Sequence, residues 1–266
     1  MALVRRESKD LMKHGDFTSL ARDYAASRPG YAPVVAETIL ALVDQRYRKP
    51  AAADIGAGTG IWTRQLYDAG MSDMRAVEPN DAMRAEGEAG NDSRSIVWLA
   101  GSGEDTGLPD SCVDLVTMAS SFHWTNYNAA MLEFRRILRP KGVFAAVWNT
   151  RYLQENPLLY EIEEALRDSV PTLNRISSGR SDFTEGLNER MMTTDGFDGL
   201  LYIEGYHVER MSRERYLTAW RSVNDIQVQA GAEKFKTFMT YVENRTSDIE
   251  WIDATYQTRA WILRAI

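Results

Sequence analysis

The residues with the clearest chemical meaning are Asp54-Ile55-Gly56-Ala57-Gly58-Thr59-Gly60. Glycines at every second position let the backbone turn sharply and lie against a ligand with no Cβ in between. The short apolar run Ala51-Ala52-Ala53 leads into this cluster and a helix-like pattern leaves it, so the loop joins a strand to a helix. The C-terminal edge of such a strand is where doubly wound folds bind ligands. Glu78 stands 18 positions after Gly60, at the end of the next predicted strand. A carboxylate there can accept hydrogen bonds from both hydroxyls of a ribose. His123 follows a later apolar run, and an imidazole titrates near neutral pH. It is either a general base or a histidine that bonds backbone or lines the pocket. Cys112 is the one cysteine, and His14, His123 and His207 are the only histidines, far apart in the chain. A cysteine-based zinc site is excluded, and no metal site is expected.

Positioning these groups requires alternating elements. Strands are predicted at 51–55, 74–77, 95–99, 113–119 and 143–148, with a helix over 61–69 that Gly70 ends. Tyr127, Ala130, Phe134, Ile137 and Leu138 recur at helical spacing, and Arg139-Pro140-Lys141-Gly142 breaks that helix. Strand–helix alternation of this kind makes a parallel sheet with helices on both faces. The last third differs. Residues 152–195 read as helical and polar, punctuated by Pro157 and Pro171. Residues 200–211 alternate like a strand, Ser212 can cap a helix carrying Tyr216 and Trp220, and another helix carries Phe235 to Val242. Residues 255–263 form a candidate closing strand. The expectation is one α/β domain over 1–266, Rossmann-like and doubly wound. Its mostly parallel seven-stranded sheet would end in a C-terminal antiparallel hairpin. Residues 17–150 would be the core, 151–198 a helical lid insertion, and 199–266 the closing hairpin and helices.

A chain of 266 residues with 44% hydrophobic and 26% charged residues has the composition of a globular protein. Lys+Arg is 31 against Asp+Glu of 38, a formal charge of −7, which disfavours nucleic acid as a partner. A single cysteine favours a reducing compartment, no apolar run is long enough to span a bilayer, and the start carries no secretory pattern. The expected location is the cytoplasm, with no membrane partner. Nothing in the residues bears on the oligomeric state.

Two cofactor classes use a glycine loop followed by an acid. Dinucleotide enzymes use G-x-G-x-x-G, but the sixth position from Gly56 is Ile61, and the third glycine arrives one residue early at Gly60. The spacing D-x-G-x-G-T-G instead resembles motif I of the class I methyltransferases, which bind S-adenosyl-L-methionine (SAM). Other segments agree. The stretch 101–110 resembles the family's G-x-A-E-x-L-P, with Gly103 for alanine, and 137–142 resembles its L-x-P-G-G turn, with Lys141 for the first glycine. Ser121-Phe122-His123-Trp124 resembles the F-H-W motif of a type 11 branch that is similar to trans-aconitate-type small-molecule methyltransferases. Tyr24-Ala25-Ala26-Ser27-Arg28-Pro29-Gly30-Tyr31 resembles its Y-x-x-x-R-P-x-Y segment, and Tyr256-Gln257-Thr258-Arg259-Ala260 its Y-x-T-x-A closing strand. The resemblance spans residues 17–264.

The resemblance implies the following roles. Gly56, Ala57, Gly58 and the Thr59 backbone face the methionine end of SAM, and Asp54 steadies the loop. Glu78 holds the ribose. Asn80 and Met83 flank the adenine, with Gly103 and Glu104 on its other side. Arg28 reaches the SAM carboxylate, and the Ala119-Ser120 backbone takes its amino group. Tyr24 and Tyr31 either line the cofactor and substrate pocket or anchor the N-terminal helix. Trp124 and Tyr127 either form an aromatic wall for the substrate or pack a helix on the sheet. Arg151 and Arg180 either pair with a substrate carboxylate or are solvated charges. No N/D-P-P-Y/F motif follows the fourth strand, where Ala119-Ser120-Ser121-Phe122 stands. The implied activity is SAM-dependent methyl transfer to an oxygen or nitrogen, or else a carbon, of a small organic acceptor, releasing S-adenosyl-L-homocysteine. The alternatives are a non-catalytic SAM-binding protein and a nicotinamide-dependent oxidoreductase.

Overall fold

The computed structural model describes residues 15–43, 49–174 and 183–266. His14 and Arg180 lie outside those residues. Seven strands form one sheet: β1 (Ala51–Ile55), β2 (Asp73–Val77), β3 (Ile96–Leu99), β4 (Val113–Ala119), β5 (Leu138–Arg151), β6 (Phe197–Ser212) and β7 (Trp251–Ala265). Their order is β3-β2-β1-β4-β5-β7-β6. Neighbours from β3 to β5 are parallel, and β7 runs antiparallel to both β5 and β6. The order reverses direction between β1 and β4, so a crevice opens there at the strands' C-terminal ends.

β1 is buried along its whole length and is mostly alanine, as a central strand covered on both faces requires. Helices α2 (Pro33–Leu42) and α3 (Ile61–Asp68) cover one face, packing Ile39 and Leu66 against Ala52 and Leu115. Helix α5 (Tyr127–Ile137) covers the other, packing Phe134 and Ile137 against Val116 and Phe144. Helices α1 (Ala21–Ser27) and α4 (Asp81–Ala89) flank the crevice, and α4 starts where the Asn80 side chain accepts a hydrogen bond from Met83 N.

The expected 151–198 insertion does not act as one unit. Helix α6 (Pro157–Ser169) joins α8 (Arg213–Arg221) and α9 (Asn224–Arg245) in a third core around Trp220, Leu166 and Phe238. Helix α7 (Leu187–Met192) instead packs Leu187 and Met191 on the sheet face covered by α5. The antiparallel closing pair is present, with α8 and α9 lying in the connection between its strands. Ser212 caps α8 as expected, accepting from Arg215 N. Strand β5 starts earlier than predicted. The breaker Arg139-Pro140-Lys141-Gly142 is absorbed as a register shift opposite β4, with Lys141 at φ 65°. Helix α9 is interrupted at Gly231 (φ 71°, ψ 166°), a conformation that only glycine adopts without strain.

Trp98 ties the β3 edge to the rest. Its indole N–H donates to Asn91 Oδ1 at 2.9 Å, and its ring lies where a Cβ on Gly87 would come within 2.1 Å. Alanine normally stabilises a helix interior by about 1 kcal/mol over glycine. At Gly87 the clash with a hydrogen-bonded indole outweighs that gain. The Gly87→Ala variant is expected to lose about 1–3 kcal/mol net, read from the urea midpoint at unchanged slope.

Candidate functional site

The loop after β1 is built around the end of β2. Gly56 N and Ala57 N both donate to Val77 O, at 2.8 and 3.1 Å. Gly58 N donates to Glu78 Oε2 and Asn80 N to Glu78 Oε1, each at 2.8 Å. These turns need left-handed backbone, with φ of +64°, +58° and +77° at Gly56, Gly58 and Gly60. A Cβ on Gly56 would also meet the Ser121 side chain at 2.7 Å. The amides of Gly56 and Gly58 are therefore turned onto Val77 and Glu78. What they leave towards the crevice is bare Cα surface. Glu78 is 7% exposed. Burial raises its pKa, opposed by the hydrogen bonds from Asn80 and Gly58.

A cavity of about 480 Å³ begins at this loop and runs to the corner between α8 and α9. Small-molecule sites are of this size. One end is formed by the glycine loop, Glu78, Asn80, Met83, Gly103 and Glu104. Ala119, Ser120, Tyr31 and Trp124 line its middle, and Tyr24 and Arg28 lie opposite the loop. The far end holds Thr150, Arg151, Glu163, Asn224 and Tyr256. Buried Thr59 Oγ1, Thr150 Oγ1 and Arg151 Nε lack hydrogen-bond partners among the described residues. Orphaned polar atoms along one cavity are what a polar ligand satisfies. Arg151 donates from Nη1 to Glu163 Oε1 at 3.4 Å, and its guanidinium sits 3.8 Å from the centre of the Trp220 indole. Arg28 donates from Nε and Nη2 to Ser222 Oγ and O, at 2.8 and 3.0 Å.

Several expected roles change with this geometry. Asp54 is fully buried beneath the loop rather than at the cavity. It accepts from Thr63 Oγ1 at 2.5 Å and Thr117 Oγ1 at 2.9 Å, bracing α3 and β4 against β1, and burial raises its pKa to about 7. Glu104 accepts from Asn126 N at 2.6 Å, so part of its carboxylate secures the start of α5. The glycine at 103 has a local reason, since a Cβ there would meet Thr125 Cγ2 at 2.6 Å. Ser120 N donates to Val147 O at 2.7 Å, tying the end of β4 to β5. Ser120 itself sits at φ 55°, a strained backbone for a non-glycine residue at a cavity wall.

His123 is withdrawn from the cavity. It lies among Trp124, Trp148 and Phe183, with ring centres 4.6, 6.4 and 6.4 Å away, and its Nδ1 accepts from Trp148 Nε1 at 3.3 Å. Burial lowers its pKa to about 4. A group neutral at physiological pH but walled off by aromatic rings is not a base for a cavity ligand. Tyr127 is likewise no substrate wall. It packs on Phe122, and its hydroxyl pairs with Thr194 Oγ1 at 2.6 Å. His207 lies on β6, with Nε2 3.1 Å from Gly30 O. Phe17, Glu163, Thr150 and Asn224 line the cavity without having been expected there. No local pattern marks them, because only long-range packing brings their segments to the crevice. Among the described residues there is no helix long and apolar enough to cross a membrane and no His/Cys/Asp/Glu cluster suited to a metal ion.

Residues 53–146 match the family model described as a methyltransferase domain. An uncharacterized methyltransferase of Mycobacterium tuberculosis is 34% identical over 170 residues, covering 60% of this chain and 63% of that protein. An uncharacterized methyltransferase-like protein of Schizosaccharomyces pombe is 33% identical over 141 residues, covering 51% of this chain and 52% of its own length. The chain thus spans less than two thirds of these curated relatives. A candidate type II methyltransferase from Anaeromyxobacter dehalogenans superposes with a TM-score of 0.59 at 21% identity, covering 90% of this chain and 97% of that one. A candidate methyltransferase from an antibiotic biosynthesis pathway of Anabaena variabilis gives 0.55 at 18%, covering 89% and 98%. The solved structures establish the fold, which is Rossmann-like.

The position of His123 has a measurable consequence for stability. An unfolded imidazole titrates near 6.5, well above the folded value of about 4. The stabilisation is therefore complete above about pH 6.5 and is lost as pH falls through about 4, by on the order of 3 kcal/mol. Asp54, raised to about 7, takes up its proton over the same range with the opposite sign, so the readout is the difference: between pH 7 and 4 the urea midpoint of wild type should fall relative to that of His123→Phe.

Proposed function

We propose that this chain, whose residues 53–146 match a methyltransferase domain, is a SAM-dependent methyltransferase acting on a small organic acceptor. The observation that carries this reading is the Glu78 carboxylate. Each of its oxygens takes one backbone amide, and it lines the cavity beside a loop stripped of side chains. A carboxylate offers about four acceptor positions, so two remain for the paired hydroxyls of a ribose. The rest of the wall fits the same ligand. Met83 lies beside Gly58 and suits an adenine face, and Arg28 has donors on Nη1 beyond those given to Ser222. Buried Thr59 Oγ1 would gain a partner.

SAM supplies an electrophilic methyl group with a good leaving group, so the protein's work is alignment and exclusion of water. Tyr31 supports alignment. Its hydroxyl donates to Ser120 Oγ at 3.1 Å, and burial raises its pKa, so it stays protonated and acts as a fixed donor rather than a base. The far end of the cavity supports an acceptor that presents its own nucleophilic anion. Arg151 is held flat on Trp220 with Nε unpaired, and Thr150 Oγ1 is equally unpaired. Both are donors suited to a carboxylate. Oxygen methylation of a carboxylic acid is thus the favoured form of the reaction, and it needs no histidine.

The cofactor assignment is tested by calorimetric titration of SAM into wild type and Glu78→Ala, with NAD as the comparison ligand. Loss of hydrogen bonds to a charged group is expected to weaken SAM binding about ten- to a hundredfold, with no binding of NAD. Absence of SAM binding by folded wild type overturns the reading. For the acceptor, a panel of carboxylic acids and their amides is assayed by S-adenosyl-L-homocysteine release. Turnover confined to the acids, with KM raised at least about tenfold in Arg151→Met at unchanged SAM affinity, is the expected result.

A further inference from the structure

Residues 15–20 form a strap across the cofactor end of the cavity, and its ties go to the cavity wall itself. Gly15 N donates to Asn224 Oδ1 at 3.1 Å, and Asn224 Nδ2 donates back to Asp16 O at 2.9 Å. One side-chain amide thereby holds two consecutive strap residues. On the other side Asn80 Nδ2 donates to Thr18 Oγ1 at 3.0 Å. Between these ties Phe17 meets Tyr24 and Trp124 edge-on, with ring centres 5.9 and 6.5 Å apart. Gly15, Phe17 and Tyr24 face the cavity, opposite the glycine loop. The strap and that loop together enclose the space assigned above to the cofactor.

Asn224 is 2% exposed and begins α9, at the corner that walls the far end of the cavity. It therefore joins the acceptor wall to the cover over the cofactor. The second tie reaches the cofactor grip directly. Asn80 donates its backbone N–H to Glu78, accepts from Met83 N on its side-chain oxygen, and holds Thr18 with its side-chain nitrogen. We propose that Asn224 is a positioning residue that latches this strap shut, so that cofactor and product leave only when the Asn224 tie opens. The inference rests on the cofactor reading above. It adds to that reading which contact governs release. Opening must break the Asn224 and Asn80 ties, side-chain hydrogen bonds that water can replace, so the strap slows release relative to an uncovered site.

The test uses S-adenosyl-L-homocysteine as the probe, with dissociation followed by stopped-flow tryptophan fluorescence on the full chain. Asn224→Ala is expected to raise the dissociation rate at least about tenfold, the loss of roughly 1.4 kcal/mol of barrier. Thr18→Val removes the opposite tie without touching the cavity wall and is expected to raise it less. A rate within twofold of wild type in Asn224→Ala overturns the latch. Should that variant not fold, Thr18→Val decides, a faster rate supporting the latch and an unchanged one overturning it. Failure of wild type to bind the probe at all is a different result, since it removes the cofactor assignment before any variant is compared.

Discussion

The site is organised around one carboxylate placed where almost no water reaches it. An ionised group that is buried without hydrogen bonds is strongly disfavoured. Burial raises the Glu78 pKa, and the two backbone amides it draws onto itself, one from the glycine loop and one from the turn that starts α4, offset part of that cost. Those two bonds fix where the loop crosses the crevice and where α4 begins. The Gly58 amide can reach the carboxylate only through a left-handed turn, so the glycines serve this bond as much as the approach of a ligand. Beneath it, Asp54 repeats the arrangement one layer down, taking hydroxyls from α3 and β4. Two buried acids thus organise the strand ends on both sides of the point where the sheet order reverses.

This dependence explains why the first half of the chain was legible in its sequence. The loop and its acid are local, eighteen positions apart, and the loop's positive φ values leave glycines behind, whereas the Asn80 cap of α4 was not among the expectations. The strands from β1 to β4 were equally readable, because buried parallel strands are short apolar runs between turn signals. Strand β5 was readable only from Val143, since its first residues carry the turn-like Arg139-Pro140-Lys141-Gly142 and are held in the sheet by tertiary pairing.

The second half was less legible for a physical reason. Residues 152–195 look like one helical insertion because amphipathic helices reveal that they have an apolar face, not what the face meets. In the fold α6 turns that face towards α8 and α9, and α7 turns its own towards the sheet. The same limit applies to single residues. His123 lies just past β4, where chemistry is common, yet Trp148 and Phe183 arrive from distant segments and enclose it. Arg151 ends β5 and reaches the cavity, but its partner Glu163 and its platform Trp220 come from α6 and α8.

Arg151 also shows why the two halves must be considered together. A buried guanidinium is tolerated when its charge is matched and its face is covered. Glu163, on α6, supplies the match, and Trp220, in the third core, the cover; neither belongs to the sheet. The Arg151 end of the cavity is therefore held by the packing of α6, α8 and α9, whereas the glycine-loop end is held by β1, β2 and β4. The corner between α8 and α9 is where the two sources meet. Ser222 there accepts from Arg28, and Asn224 bonds the segment ahead of α1. The glycine-loop end is thus built from local sequence and the Arg151 end from long-range packing, so the second can vary while the first is kept. The family match over 53–146 ends before β5 does and includes none of α6, α8 or α9.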